Sequence, residues 1–506
     1  MIQYLLAHDL GTSGNKAVLY SFSGELVGST VVSYSTIYPD NGWVEQNAED
    51  WWKAVCTATK KLLEQTHIAG SQVAAVSFSG QMMGCLLVDK HAVPLYNMIT
   101  WADTRSVKEA EFMRQQIDPV HFYHKIGHRI GESYSAAKLL WIKNNYYDIY
   151  KKAYKMLNAK DYIISLMTGN FVTDYSDASG TNLLNINKLE WSTEIIESLG
   201  LDIDLLPELH ASSDIAGYVT PKAAAECGLP EGTPVVLGGG DGSCACVGAG
   251  VVKEGKTYNV IGSSSWISTA SSQPVYDNEM RTFNWVHLDK NLYTPCGTMQ
   301  TAGYSLSWFR NLMFEGDTDA VKDNVHQTID SLVELSVPGA NKLFFLPYLL
   351  GERSPLWNSN ARAAFVGLTV THTKADMFRA LYEGVGFNLK HIMDILNRYC
   401  SVNEIIAIGG GAQSKVWLQI LSDIFGRELL IPEYVEEATS MGAAICAGVG
   451  IGAYRDFGIV DEFNKIKQRI RPNMENHERY RKLLPVFQLT YQDLTATFDR
   501  ISGIEY

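Results

Sequence analysis

The chain has 506 residues, 46% of them apolar and 19% charged, and a formal net charge of -13. That length exceeds a single hydrophobic core and predicts two or more domains, and the apolar content excludes a disordered chain. The acidic balance argues against a nucleic-acid groove, which needs clustered Lys and Arg; a polyphosphate ligand stays compatible, because backbone N–H groups and a metal ion neutralise it locally.

The opening run Met1–Leu10 meets His8-Asp9 at once, unlike a secretion signal, and no apolar run approaches the roughly 20 residues of a membrane span. Neither membrane nor nucleic acid is therefore an expected partner. Tyr4–Ala7 and Ala17–Ser21 read as strands around a Gly-rich turn, Asp9-Leu10-Gly11-Thr12-Ser13-Gly14-Asn15-Lys16. Glycines there let the backbone approach a ligand, Thr12 and Ser13 add hydroxyl donors, and Asp9 at the strand end suits Mg²⁺. An ordinary polar hairpin is the plainer alternative. Trp51, Trp52, Val55, Leu62 and Leu63 recur on one helical face, and Val73–Phe78 is a short strand before Ser79-Gly80.

Gln81-Met82-Met83 with Trp101-Ala102-Asp103-Thr104-Arg105 has the makings of a sugar pocket, an apolar face plus polar groups for hydroxyls. The bland alternative is a core Met pair and a surface Asp103–Arg105 ion pair. Farther on, Val235-Val236-Leu237 runs into Gly238-Gly239-Gly240 and then Asp241. A carboxylate at a strand's C-terminal end can accept a proton from a substrate hydroxyl, or can cap the next helix. Gly250–Thr257 matches the P-loop pattern, but a helix-like segment precedes it and a strand, Tyr258–Ile261, follows, the reverse of what phosphate binding requires. The eight cysteines are scattered, with Cys244-Ala245-Cys246 the one close pair, and read as reduced, buried thiols of a cytoplasmic protein.

Tyr258–Ile261 enters Gly262-Ser263-Ser264-Ser265 about half a chain after the first hairpin. Phe378 to Leu396 follows helical spacing, and Ile405–Ile408 enters Gly409-Gly410-Gly411-Ala412-Gln413-Ser414, a surface for an adenine or a turn needing positive φ. Ala75–Gly80 and Ile405–Gly411 form a second matched pair. Together these echoes predict duplicated α/β domains meeting near Val251–Lys256.

The chain resembles the FGGY carbohydrate kinases, and within them is most like the xylulokinases. Asp9–Lys16 matches the family's N-terminal element. Ser133–Asn145 and Ala363–Glu383 match its two long signatures. Phe345–Pro355, Gly240-Asp241 and Gly409–Ala412 match shorter ones, all in order. The resemblance implies an α/β fold of two actin-like (ribonuclease H-like) domains with a deep cleft: 1–252 for the sugar and 253–506 for ATP. Asp241 would deprotonate the sugar hydroxyl, and Asp9 would help to hold Mg²⁺. Gly11, Thr12, Ser13 and Lys16 would meet ATP from one side. Gly262, Ser263, Gly409, Gly410, Gly411 and Ser414 would meet it from the other. Gln81, Met82, Met83, Trp101, Asp103 and Arg105 would face the sugar together with Asp241.

Two positions depart from the xylulokinase pattern, Met83 where His is usual and Ala102 where Asn is usual. D-xylulose leads as substrate, with another ketose, gluconate or a polyol as alternatives; a sugar acid would need a cation, for which Arg105 is the candidate. The reading from another class is a non-catalytic, nucleotide-dependent actin-like protein. A homodimer is compatible with either.

Overall fold

The computed structural model describes residues 4–314 and 325–504. The first half is built on strands β1 (Tyr4–Leu10), β2 (Gly14–Ser21), β3 (Leu26–Ser33), β4 (Val73–Gly80), β5 (Ile215–Tyr218) and β6 (Pro234–Gly240), in the order β5-β6-β4-β1-β2-β3. β1 is antiparallel to β2 and parallel to β4, and β6 continues the parallel part. The second half repeats this with β7 (Lys256–Ile261), β8 (Ser265–Thr269), β9 (Phe283–Val286), β10 (Tyr293–Met299), β11 (Glu404–Ile408), β12 (Leu429–Pro432) and β13 (Ile466–Ile470). Its order, β9-β10-β8-β7-β11-β12-β13, matches strand for strand and adds only β9 at one edge. The duplication expected from the two hairpins is therefore present in the topology. β4 and β11, the second matched pair, occupy equivalent parallel positions beside β1 and β7.

The central strands β1 and β7 are buried along nearly their whole length because helices cover both faces. Helix α1 (Ala48–Thr66) lays Trp51, Val55 and Leu62 into the first core; Asn47 caps it by accepting the Glu49 N–H. The segment between β4 and β5 builds a side lobe whose core includes helix α2 (Ser135–Asn145), and α3 (Ala159–Thr168) packs under the first sheet. In the second half, α6 (Lys374–Leu396) starts at a capping box of Thr373 and Asp376 and buries Phe378, Leu381, Val385 and Leu389, as its spacing predicts.

Two short helices cross between the sheets, α4 (Asp241–Gly248) after β6 and α8 (Ala438–Gly450) after β12; α5 (Gly303–Met313) and α7 (Lys415–Phe425) complete the principal elements used below, with α9 (Met474–Ser502) along the outside. The crossing is close. A Cβ on Gly248 would lie 1.8 Å from the Ala438 carbonyl oxygen, and one on Gly442 would lie 2.0 Å from that of Cys244. Each helix also serves the other half. Met441, Ile445 and Ala447 of α8 pack on Leu5, Ala7 and Val18 of the first sheet, while Ala245, Cys246 and Ala249 at α4 pack against Tyr258, Val260 and Ile406 of the second.

Candidate active site

The site grows from the end of β1. Asp9 sits in register with Lys16 of β2 on one side and Ser79 of β4 on the other, and the Ser79 hydroxyl donates to its Oδ1 at 2.9 Å. The turn at 11–13 is closed by the Gly11 N–H donating to Gly14 O. Gly14 is required, because a Cβ there would meet the Val32 carbonyl at 2.9 Å. Burial raises the Asp9 carboxyl to about 6, against the opposing pull of the Ser79 hydroxyl and the Lys16 ammonium. Lys16 pairs at 3.2 Å with Glu437, the residue before α8, so the two halves touch at the hairpin.

Asp241 opens α4. The three preceding glycines answer steric demands: a Cβ on Gly238 would meet Phe78 O at 1.9 Å, and one on Gly240 would meet Met82 Sδ at 2.4 Å. The helix cap is Gly240, so Asp241 is not a capping residue. Asp241 is exposed to solvent at the end of β6, while its carboxyl is surrounded by protein. Desolvation raises it to about 7, the Asp9 carboxylate adds to the rise, and the Gly242 N–H opposes it. Behind it the Gly240 N–H donates to Ser176 Oγ, Ser176 donates to Asp174 Oδ2, and Asp174 sits 2.9 Å from the fully buried Lys160. This support, which also includes Asp161 and Asp177 around Lys160, carried no signal in the sequence.

Across the cleft the β7–β8 hairpin is docked on the start of α5, its Gly262 and Ser263 carbonyls accepting N–H groups of Ala302, Gly303 and Tyr304. The glycine run after β11 lies against the same hairpin. Gly409 has φ +88°, Gly411 has no room for a Cβ beside Ile261, and Gly410 faces open space. Ser414 caps α7 by accepting the Trp417 N–H and donates to Asp330, so its hydroxyl is already engaged. The P-loop-like stretch is spent likewise: Lys256 pairs with Asp461, the Thr257 hydroxyl donates to Thr269, and a strand follows.

At the other end, Met82 and Met83 pack with Tyr134 and Trp285 in a small cluster of their own. Gln81 is buried and donates to Gln46, which in turn donates to the Thr12 carbonyl. Trp101 stands half-exposed, its indole N–H donating to Thr12 Oγ1 at 3.2 Å, and so joins the pocket to the first hairpin. The pocket opens into a cleft of about 710 Å³ between Trp101, Arg129 and Tyr134 of the first half and Gln300, Arg353 and Trp357 of the second.

Two expectations need correction. Arg105 and Asp103 do not face this space. The Arg105 side chain is 1% exposed, bonded to Asp103 and Glu45 and sandwiched by Trp43 at 3.8 Å and Trp141 at 4.9 Å. Asp103 also accepts the Val44 N–H. The pair is buried, not the surface pair of the plainer reading, because the side lobe closes over it. The cations lining the cleft are instead Arg129 and Arg353, both stacked on Trp357 at 5.2 and 5.8 Å, and Arg114, which is paired with Glu111. Tyr134 and Arg353 lie within matched sequence elements, whereas Arg129, Trp285 and Trp357 had no sequence signal.

Model matches agree with this architecture: residues 4–248 match the N-terminal domain of the FGGY family of carbohydrate kinases and 257–451 its C-terminal domain. The chain is 32% identical over 492 residues to the xylulose kinase of Bacillus subtilis (strain 168), covering 97% of each. It is 32% identical over 510 residues to the gluconokinase of Bacillus licheniformis, covering 100% of this chain and 99% of that one. Its fold superposes on the crystal structure of gluconate kinase from Lactobacillus acidophilus with a TM-score of 0.93 at 28% identity, over 99% of this chain and 100% of the other. The chain belongs to the FGGY family of carbohydrate kinases.

Proposed function

We propose that this FGGY carbohydrate kinase transfers the γ-phosphoryl group of ATP to a hydroxyl of D-xylulose, with Asp241 as the base. The observation that carries the mechanism is the Asp241 carboxyl at the end of β6, raised to about 7 by burial with the Asp9 carboxylate adding to the rise. Such a group accepts the hydroxyl proton as the new O–P bond forms and ADP departs. The turn at Gly11–Ser13 and Lys16 hold the phosphates from one side, and the turn at Gly262-Ser263 and the Gly409–Gly411 run meet ATP from the other. The sugar lies against Met82, Met83, Trp101 and Tyr134. The halves divide at 252/253, and the enzyme works in the cytoplasm.

Asp9 and Asp241 suit a divalent cation: they are hard oxygen donors whose neighbouring charges raise the Asp241 carboxyl, a repulsion that a cation relieves. Asp9 would hold Mg²⁺, which when bound neutralises charge on the ATP phosphates. The chain's own residues do the rest: Ser79 orients the Asp9 carboxylate, Lys160 and Asp174 brace the backbone of Asp241, and Trp101 links the sugar wall to the first hairpin.

A specific observation favours a second reading, a sugar acid such as gluconate. Arg129 and Arg353 make no ion pair among the described residues and flank one tryptophan in the cleft. Guanidinium groups so placed bind a carboxylate in a fork. ADP release from MgATP with D-xylulose, L-xylulose, D-ribulose, L-ribulose, gluconate and glycerol decides. Highest kcat/KM on D-xylulose supports the first reading. Highest kcat/KM on gluconate, lost in Arg129→Met and Arg353→Met, replaces the sugar and keeps the chemistry. No stimulation by any of the six overturns both.

A further inference from the structure

Lys138 lies in α2, inside the first signature, and nothing in the chemistry above uses it. Its side chain is fully buried, and no carboxylate lies within ion-pair distance among the described residues. It sits in the first turn of α2, where the helix dipole also disfavours a cation. A lone buried ammonium in that place costs stability. What it does make is two hydrogen bonds to backbone carbonyls, one to Met83 at 2.7 Å and one to Ser133. Those carbonyls belong to two separate segments. Met83 is on the loop after β4, and Ser133 directly precedes Tyr134; Met83 and Tyr134 pack together in the cluster at the sugar end of the cleft. Met83 has φ +62°, a left-handed conformation that a long side chain adopts only when its surroundings hold it there. The rest of the loop is tied by the Gln81 N–H to Leu10 O and the Gly84 N–H to Asn158, which leaves the Met83 carbonyl to Lys138.

We propose that Lys138 is a positioning residue for the sugar: by gripping the Met83 and Ser133 carbonyls together it holds Met83 in its left-handed conformation and sets the spacing between the Met82-Met83 wall and the Tyr134 wall. This rests on reading Met83 and Tyr134 as walls of the sugar pocket.

Steady-state kinetics of Lys138→Met with D-xylulose and D-gluconate, each against varied MgATP, test it. The sugar KM should rise about tenfold or more, while the MgATP KM and kcat stay within about threefold. In a Met83→Gly background, where a left-handed φ carries no penalty, the same substitution should raise the sugar KM by no more than about threefold. Equal losses in both backgrounds, or parallel losses for MgATP and sugar, assign Lys138 to general stability and overturn the proposal. A Met83→Gly enzyme with an unchanged sugar KM removes the pocket reading and the proposal with it, whereas an unchanged KM in K138M alone removes only the proposal. If K138M does not fold, hydrogen exchange of the wild-type enzyme decides. Burial lowers Lys138 to about 7, and Asp103, Cys85, Glu132 and Arg105 are the charged or titratable groups facing it; the Cys85 thiol, raised to about 12, keeps its proton over the range used. Between roughly pH 6 and pH 9, after correction for intrinsic rates, segments 81–85 and 131–135 should lose protection together as the ammonium discharges. Unchanged protection in both overturns the proposal.

Discussion

In the first sheet the hairpin sets Asp9 opposite Lys16; at the same two positions of the second sheet it sets Val260 opposite Trp266. The strand order, the antiparallel pairing and the parallel neighbour are shared, and only the side chains differ. The same asymmetry recurs where each half sends a helix across. Asp241 opens α4 with no cation paired to its carboxylate among the described residues, while Glu437, just before α8, is paired with Lys16. The duplicated frame thus has a carboxylate near the start of each crossing helix. One is left desolvated and near neutral pH; the other is satisfied by a cation. Position in the fold alone does not set how such a carboxyl titrates: burial, with the Asp9 charge added, is what raises Asp241.

The largest expected effect tests that contrast directly. Asp241→Asn should lower kcat by about 10³-fold with MgATP affinity retained, whereas Glu437→Gln should change kcat by no more than about threefold. Comparable losses in the two would break the comparison. Next, Asp9→Asn should cost about a hundredfold in kcat/KM, by analogy with the loss of a charge-stabilising group, and Val260→Asn much less. The pH profile sharpens this. With Asp241 raised to about 7 and active only when deprotonated, kcat/KM should fall about tenfold per unit as pH drops below that value. Asp9 contributes to the rise, so in Asp9→Asn the residual activity should keep its plateau to lower pH; an unmoved acid limb would mean that the two carboxylates do not sense each other.

Smaller effects concern the crossing helices. Gly248→Ala and Gly442→Ala each drive a methyl into a facing carbonyl, and each should cost about 2–3 kcal/mol by denaturant titration. Because the clashes are reciprocal, their sum in the double variant should be less than additive. The smallest effect belongs to Lys16→Met, which breaks a partly exposed pair and should lower stability by about 0.5 kcal/mol while raising the MgATP KM.

What could be read beforehand was whatever the backbone itself demands. Gly238, Gly240 and Gly409 mark close approaches or positive φ, so the chain must spell them locally, and with them the strand ends and Asp241. The two hairpins were legible for the same reason. Contacts made by segments far apart were not. Arg105 looked available because its partner Glu45 and the covering Trp141 lie 60 and 36 residues away in a lobe that only the folded chain assembles. Trp285 reaches the Met82-Met83 cluster from β9 and Trp357 reaches the cleft from a loop, neither with a local pattern, and Lys160 finds Asp174 through tertiary packing alone.

The crossing of α4 and α8 has a consequence for how the chain is made. The flank of the first sheet around Leu5, Ala7 and Val18 is closed by residues of α8, which ends at Gly450. When residue 252 emerges from the ribosome, that flank is still bare, and it stays bare until α8 follows strands β7 to β12. The part synthesised first is therefore among the last to be sealed. A chain interrupted between the halves presents an open apolar face, the kind of surface that chaperones hold, and a gene cut at the boundary yields two pieces that each lack a helix carried by the other.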